Sequence, residues 1–150
     1  MPQSLSSVLL HIVFSTKNRE PFIGEDVEPD LHSYMATIFK ECDSPSLIIG
    51  GTTDHIHALA NLSRTITIAN LVKAVKANTS RWMKSQGREF RSFQWQAGYG
   101  AFSVSESGVT TVKAYIANQK THHKRRTFQD EFRILLKKYK VPYDERYVWD

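Results

Sequence analysis

The sequence has 150 residues, of which 41% are hydrophobic and 23% are charged. This length suits one compact domain, expected over residues 1–150, and it excludes two large domains. The apolar content excludes a chain that is disordered throughout. Cys42 is the single cysteine, which excludes an internal disulfide and a cysteine-rich zinc site, and which fits the reducing cytoplasm of a cell.

The net charge of +5 is unevenly distributed along the chain. Residues 1–60 contain three Lys and Arg against eight Asp and Glu, whereas residues 61–150 contain seventeen against seven. A basic second half favours a polyanionic partner, and nucleic acid is the commonest such partner of a basic protein. A basic surface that is only solvated is the alternative interpretation.

Hydrophobic patterns predict four elements in the first half of the chain. Residues 6–16 are rich in β-branched and aromatic side chains and predict a buried strand. Their apolar run is too short for a membrane span and lacks the basic leader of a signal peptide. Residues 25–42 have helical spacing, and residues 46–51 and 55–62 predict two strands of a hairpin.

The residue patterns in the second half of the chain predict mainly helices. Residues 67–86 form an amphipathic helix with Gly87 as its C-cap, and residues 90–105 a strand pair or one strand with an irregular entry. Residues 109–124 and 127–140 predict two more helices. The order β-α-β-β-α-β-α-α predicts an α+β fold, a ferredoxin-like or RRM-like antiparallel sheet with helices on one face and added C-terminal helices.

Two histidines lie at alternate positions of the third predicted strand. A strand sends His55 and His57 to one face and Ile56 to the other, so that the two imidazoles can chelate one metal ion. Asp54 precedes them and can accept the second N–H group of an imidazole. The alternatives are two polar residues on a solvated face and an ordinary turn aspartate.

A tyrosine and a glutamine lie four residues apart in the helix predicted over residues 109–124. This spacing places Tyr115 and Gln119 about one turn apart on one face. The alternatives are a core aromatic residue and a surface amide. A basic triplet follows at residues 124–126, and it is either a solvated helix end or a phosphate clamp.

Together these motifs resemble a known family. The His55-Ile56-His57 tripeptide, a long helix, the block Trp-Gln-Ala-Gly-Tyr-Gly-Ala-Phe-Ser-Val-Ser at residues 95–105, and Tyr115 followed by Gln119 stand in the family's order. They resemble the single-tyrosine HUH transposases of bacterial insertion sequences, including their repeat-associated relatives. The resemblance implies that His55, His57 and Gln119 hold a divalent metal ion and that Tyr115 is the nucleophile.

The implied reaction is cleavage and rejoining of single-stranded DNA at hairpin-bearing element ends. Attack by Tyr115 gives a 5′-phosphotyrosine and a free 3′-OH, and this ester keeps the bond energy, so that no nucleotide cofactor is needed. Two imidazoles and an amide suit Mg²⁺ or Mn²⁺, and Zn²⁺ would also bind. The expected phosphate contacts are basic residues of the second half: Lys73, Lys76, Lys84, Arg88, Lys124, Arg125 and Arg126.

The resemblance also implies a homodimer, because transposition cuts two ends and exchanges strands between them. The short connection over residues 105–108 could let the tyrosine helix dock on a partner subunit. We therefore expect His55 and His57 of one subunit to meet Tyr115 and Gln119 of the other, with residues 98–104 near the dimer seam. The expected location is the bacterial cytoplasm, on the nucleoid when DNA is bound.

Three other functions fit parts of the pattern. A replication or mobilisation nickase of the HUH class uses the same chemistry, although such proteins usually carry further domains. A non-catalytic RRM-like module would bind nucleic acid through aromatic residues on its central strands, where this chain has His55 and His57. A zinc-dependent hydrolase would need another histidine or carboxylate ligand.

Overall fold

A computed structural model describes residues 2–150, within which four strands form one antiparallel sheet. The strands are β1 (Leu9–Ser15), β2 (Ser46–Gly51), β3 (His55–Asn61) and β4 (Gly100–Val104), in the spatial order β2-β3-β1-β4. This order confirms the predicted ferredoxin-like sheet. It leaves β1 and β3 central, and these two strands carry the buried histidines of the site described below.

One face of the sheet is covered by α1 (Glu28–Glu41) and α2 (Ile68–Lys84). Strand residues such as Ile12, Phe14 and Ile56 point to this face and pack with apolar side chains of the two helices. The α2 helix begins where Thr67 accepts a hydrogen bond from the backbone of Asn70 at 3.0 Å, as an N-cap residue does. This face is the main hydrophobic core.

The opposite face is covered by the C-terminal helices α3 (Val109–Ala117), α4 (Gln119–His122) and α5 (Phe128–Lys138). Because side chains alternate along a strand, Val13 and Leu59 lie on this face, where they belong to apolar clusters with α5 and α3. The added C-terminal helices thus turn a two-layer sandwich into three layers. Among residues 2–150 no helix is long and apolar enough to cross a membrane.

One local prediction is wrong, and the structure decides between the two alternatives of another. The α2 helix ends at Lys84 with Ser85 as its C-cap, whereas Gly87 is extended at φ 163° and precedes a single turn of 3₁₀ helix, so the prediction of a glycine C-cap is wrong. Residues 90–105 contain one strand rather than a pair. Its irregular entry includes an isolated bridge between Trp95 and Thr16.

The helix predicted over residues 109–124 is broken. Helix α3 ends at Ala117, Asn118 has φ −98° and ψ 18°, and α4 begins at Gln119. Asparagine is a weak helix former, because its side chain competes for backbone hydrogen bonds. Tyr115 and Gln119 therefore lie on two consecutive helices rather than on one continuous helix.

Candidate active site

Strand β3 places both predicted histidines at the centre of the buried cluster between the sheet and the C-terminal helices. The side chains of His55 and His57 are fully buried. Their Nε2 atoms lie 3.6 Å and 2.9 Å from Oε1 of Glu131. One ligand atom from each of these three residues lies within 4.8 Å of the others. The alternative of a solvated pair of histidines is thereby excluded.

The two residues predicted on the tyrosine helix reach the same cluster. Oε1 of Gln119 lies 2.9 Å from Nε2 of His55, and the amide nitrogen of Gln119 donates to Oε2 of Glu131 at 3.0 Å. The hydroxyl group of Tyr115 donates a hydrogen bond to the same Oε2 atom. The structure thus brings together all four predicted site residues within a single chain, which is the cis arrangement.

Glu131 was not predicted from the sequence. It lies in α5, which begins at the N-cap residue Thr127, and it is 2% exposed among the apolar residues Phe128, Phe132 and Leu135. A carboxylate on the buried stripe of an amphipathic helix is costly unless it is paired. The position of Glu131 within an apolar stripe was the feature of the sequence that could have identified it as a site residue.

Asp54 orients His55, as the sequence analysis allowed. Its Oδ1 atom lies 2.7 Å from Nδ1 of His55 and also accepts a hydrogen bond from the Thr52 hydroxyl at 3.1 Å. Burial works to raise the pKa of Asp54, but the hydrogen bonds from His55 and Thr52 together with the charge interaction with His55 lower it below its ordinary value. A carboxylate can only accept here, so the Nε2 lone pair of His55 is available toward the centre.

His11 was also not predicted as a site residue. It lies on β1, is 3% exposed, and places its Nε2 atom 2.7 Å from Nδ1 of His57. It interrupts the apolar run of its strand, and this was its signal in the sequence. Burial, together with the neighbouring His57, lowers the pKa of His11 to about 3.

Electrostatics in the cluster keep the carboxylate charged and the phenol neutral. Burial works to raise the pKa of Glu131, but hydrogen bonds from His123 and His57 outweigh it and hold the pKa well below its ordinary value. Burial lowers the pKa of His57 to about 4, although Glu131 opposes the shift. Burial and the hydrogen bond to Glu131 raise the pKa of Tyr115 well above 10.

The donor set fits a divalent cation. Two imidazole nitrogens, a carboxylate oxygen of Glu131 and the amide oxygen of Gln119 face one another at the centre of the cluster. Lone pairs that converge at these distances repel one another unless protons or a cation lie between them. Mixed nitrogen and oxygen ligands with one carboxylate suit Mn²⁺, Mg²⁺ and Zn²⁺.

The predicted phosphate contacts fall into two groups. An exposed triplet between α4 and α5 lines a cleft of about 690 Å³ that also includes Asp54 and His123, so this group adjoins the site. The other group belongs to α2 and the turn after it, on the opposite side of the sheet. The first group is Lys124, Arg125 and Arg126, and the second is Lys73, Lys76, Lys84 and Arg88.

Lys76 differs from the other six basic residues. Its ammonium group donates to the backbone oxygens of Gln96 at 2.8 Å and Gly98 at 2.6 Å, and burial lowers its pKa to about 8. Its hydrogen-bonding capacity is therefore largely used to hold the segment that leads into β4. The other six are exposed.

Comparisons with known proteins identify a family for the chain. The sequence model of the family described as "Transposase IS200 like" matches residues 4–119. A search of curated protein sequences found no significant match.

Two solved structures share the fold. A protein from Deinococcus radiodurans R1 that is assigned as a transposase is 22% identical with a TM-score of 0.62, over 79% of this chain and 98% of that one. A REP-associated tyrosine transposase, solved bound to a REP hairpin, is 10% identical with a TM-score of 0.61, over 82% of this chain and 72% of that one. With the family match over most of its length, the chain belongs to the IS200-like transposase family, which confirms the resemblance drawn from its motifs.

Proposed function

We propose that this transposase cleaves and rejoins single-stranded DNA at hairpin-bearing element ends, with Tyr115 as the nucleophile. The observation that carries the proposal is one shared carboxylate. Oε2 of Glu131 accepts a hydrogen bond from the hydroxyl group of Tyr115, and Oε1 of Glu131 lies 2.9 Å from Nε2 of His57. A candidate nucleophile and a candidate metal centre therefore meet in one buried cluster.

Tyr115 would attack the phosphorus atom of a DNA phosphodiester. The new bond joins the phenolic oxygen to phosphorus, and the bond to the 3′ oxygen breaks, which leaves a 5′-phosphotyrosine and a free 3′-OH. A neutral phenol is a poor nucleophile, and the pKa of this one lies well above 10. Glu131 holds the phenolic hydroxyl group in place by accepting its hydrogen bond on Oε2. The phenolic proton passes to water as the bond to phosphorus forms, and water supplies a proton to the leaving 3′ oxygen.

The cation would be held by His55, His57, Glu131 and Gln119. When bound, it neutralises charge on the phosphate oxygens and stabilises the leaving oxygen. Asp54 holds the ring of His55 with its Nε2 atom toward the centre. Because Glu131 contributes a negative charge, this set should hold a cation more firmly than two imidazoles and an amide alone.

Hairpin DNA is the proposed partner, supported by the basic second half and by the REP hairpin bound to the structural relative. The exposed triplet Lys124, Arg125 and Arg126 adjoins the site and is suited to the strand that enters it. The residues of α2 and its following turn are suited to phosphates further away. The proposed reaction would take place in the bacterial cytoplasm, on nucleoid DNA.

We also propose a homodimer that exchanges its tyrosine helices, because two DNA ends need two nucleophiles in one assembly. Within one chain the cis arrangement is already complete. It is held by the buried cluster and by an ion pair of 2.6 Å between Lys120 of α4 and Glu28 of α1. Exchange in trans would have to break that pair. β4 is an edge strand of the sheet, which suits the proposed seam at residues 98–104.

The test is cleavage of labelled single-stranded DNA that contains a hairpin, with Mg²⁺ or Mn²⁺, followed on a denaturing gel. His57→Ala and Gln119→Ala should reduce cleavage, the histidine more strongly because imidazole is the better ligand for a borderline ion. EDTA should abolish cleavage, and fully duplex DNA should not be cut. His32→Ala, a histidine of α1 outside the cluster, is the control. Cleavage by both site variants at the wild-type rate would contradict the proposed metal centre.

A further inference from the structure

His11 lies beside the metal-facing cluster without being part of it. Strand β1 pairs with β3 so that Val13 lies opposite His57, and His11 is diagonal to His57 on the same face. The Nε2 atom of His11 lies 2.7 Å from Nδ1 of His57, and both rings are buried. The ring of His11 also meets Tyr115 edge-on, with centroids 6.1 Å apart.

Two ring nitrogens at hydrogen-bond distance share one proton. If His11 donates from Nε2, then Nδ1 of His57 accepts, and the proton of His57 stands on Nε2, where it donates to Oε1 of Glu131 at 2.9 Å. If His57 donates from Nδ1, then His11 accepts, and Nε2 of His57 keeps a lone pair toward the cluster. Only the second arrangement leaves His57 able to bind a metal ion.

The two histidines of β3 differ in whether a neighbouring group fixes the position of the ring proton. The partner of His55 is the carboxylate of Asp54, 2.7 Å away, which accepts and never donates. His55 therefore always keeps its Nδ1 proton. The partner of His57 is an imidazole, which can do either. Of the two histidines of β3, only His57 therefore has a neighbour that allows its ring proton to stand on either nitrogen.

We propose that His11 is a positioning residue that switches His57 between a metal-free and a metal-binding tautomer. The inference rests on the proposed metal centre. In the metal-free state both rings carry their proton on Nε2, and His57 donates to Glu131. In the metal-bound state both rings carry it on Nδ1, and His57 donates to His11.

The switch is balanced in protons. The shared proton moves from Nε2 of His11 to Nδ1 of His57. The Nε2 proton of His57 leaves to water, and Nδ1 of His11 takes one proton from water. Neither ring changes its charge, so the buried pair can bind or release a cation without leaving an extra proton in an apolar site.

Substitution of His11 tests the inference by metal affinity, measured without DNA. His11→Phe keeps an aromatic ring but removes the hydrogen bond, so Mn²⁺ and Zn²⁺ should bind about 10- to 100-fold more weakly in calorimetric titration. His11→Gln can both accept and donate, so it should stay within about threefold of the wild type. Equal affinity of the phenylalanine variant and the wild type would overturn the inference, as would equal losses in both variants.

A second measurement does not depend on a substitution. Nitrogen-15 spectra of the histidine rings distinguish the two tautomers directly. In EDTA both His11 and His57 should carry the proton on Nε2, and Zn²⁺ should move both to Nδ1. A shift of His57 alone, or an Nδ1 proton on His57 in EDTA, would overturn the inference. Failure of the wild type to bind any of these metals would instead contradict the proposed metal centre.

Discussion

The hydroxyl group of Tyr115 donates a hydrogen bond to Oε2 of Glu131, whose other oxygen lies 2.9 Å from Nε2 of His57 and 3.0 Å from Nε2 of His123. One carboxylate therefore joins the proposed nucleophile to the proposed metal centre. A change at Glu131 should affect the positioning of Tyr115 and metal binding together, while leaving the exposed basic surface as it is.

Glu131→Gln should lower the cleavage rate by about 100-fold or more, because it removes one negative charge from the proposed metal centre and replaces the charged hydrogen-bond acceptor of Tyr115 by a neutral amide. Binding of hairpin DNA should change little. Single-turnover cleavage and a binding titration separate the two effects. Asp130→Asn, at the exposed neighbouring residue of the same helix, is the matched control. A wild-type rate for Glu131→Gln would remove this residue from the reaction.

The buried histidines make stability depend on pH. Burial lowers the pKa of His11 to about 3 and that of His57 to about 4, whereas both are near 6.5 in an unfolded chain. The unfolded chain therefore binds more protons below pH 6.5, and the free energy of unfolding should fall by up to about 1.4 kcal/mol per pH unit for each group. The lowered pKa of Glu131 adds a loss of the same sign, which begins as the pH falls through the range where an unfolded glutamate is protonated.

Denaturant unfolding in EDTA between pH 7 and pH 4.5 measures this dependence. His11→Phe should give a flatter dependence than the wild type, because one of the groups that titrates on unfolding is gone. An unchanged slope in that variant would show that His11 does not bind a proton on unfolding in this range.

Much of this fold was predictable because it depends on local patterns. Most strand and helix boundaries follow the hydrophobic periodicity to within a few residues, although β4 begins only at Gly100 within the segment predicted over residues 90–105. The alternation in β3 correctly placed His55 and His57 on one face. Glu131 and His11 were not predicted, since their roles arise only when α5 and β1 meet β3. Glu131 also lies beyond residues 4–119, the part of the chain that the family model matches.

The helix break at Asn118 shows a different limit of prediction from sequence. Spacing alone predicted that Tyr115 and Gln119 share one helix face, and they do reach the same carboxylate. The helix nevertheless ends at Ala117 and restarts at Gln119. Periodicity does not detect such a break, because each short helix keeps the pattern that a continuous helix would have.

The basic residues of α2 should not behave alike. Lys73 is exposed, so Lys73→Ala should reduce the slope of log affinity against log salt by about 0.7 for single-stranded DNA. Lys76→Ala should instead lower the melting temperature, because it removes the donor to the backbone oxygens of Gln96 and Gly98. Binding at several salt concentrations, together with thermal unfolding, distinguishes the two. A full salt effect with no loss of stability in Lys76→Ala would contradict its structural role.

Mixing two inactive variants tests the proposed exchange between subunits. If the site is shared in trans, a heterodimer of His57→Ala and Tyr115→Phe holds one site with both substitutions and one intact site, so cleavage should partly return. If each site forms in cis, every site carries a substitution. Each variant alone is the control. A confirmed heterodimer that stays inactive would contradict the trans arrangement and favour the cis arrangement found within one chain.

The central claim is that Tyr115 becomes covalently joined to DNA in a metal-dependent reaction. The most direct measurement is peptide mapping by mass spectrometry after the protein has reacted with single-stranded hairpin DNA in Mn²⁺. The adduct should lie on the peptide that contains Tyr115, and it should be absent in EDTA and in Tyr115→Phe, which keeps the ring and should still bind DNA. An adduct on another residue, such as Tyr99 or Tyr139, or one that persists in Tyr115→Phe, would contradict the account.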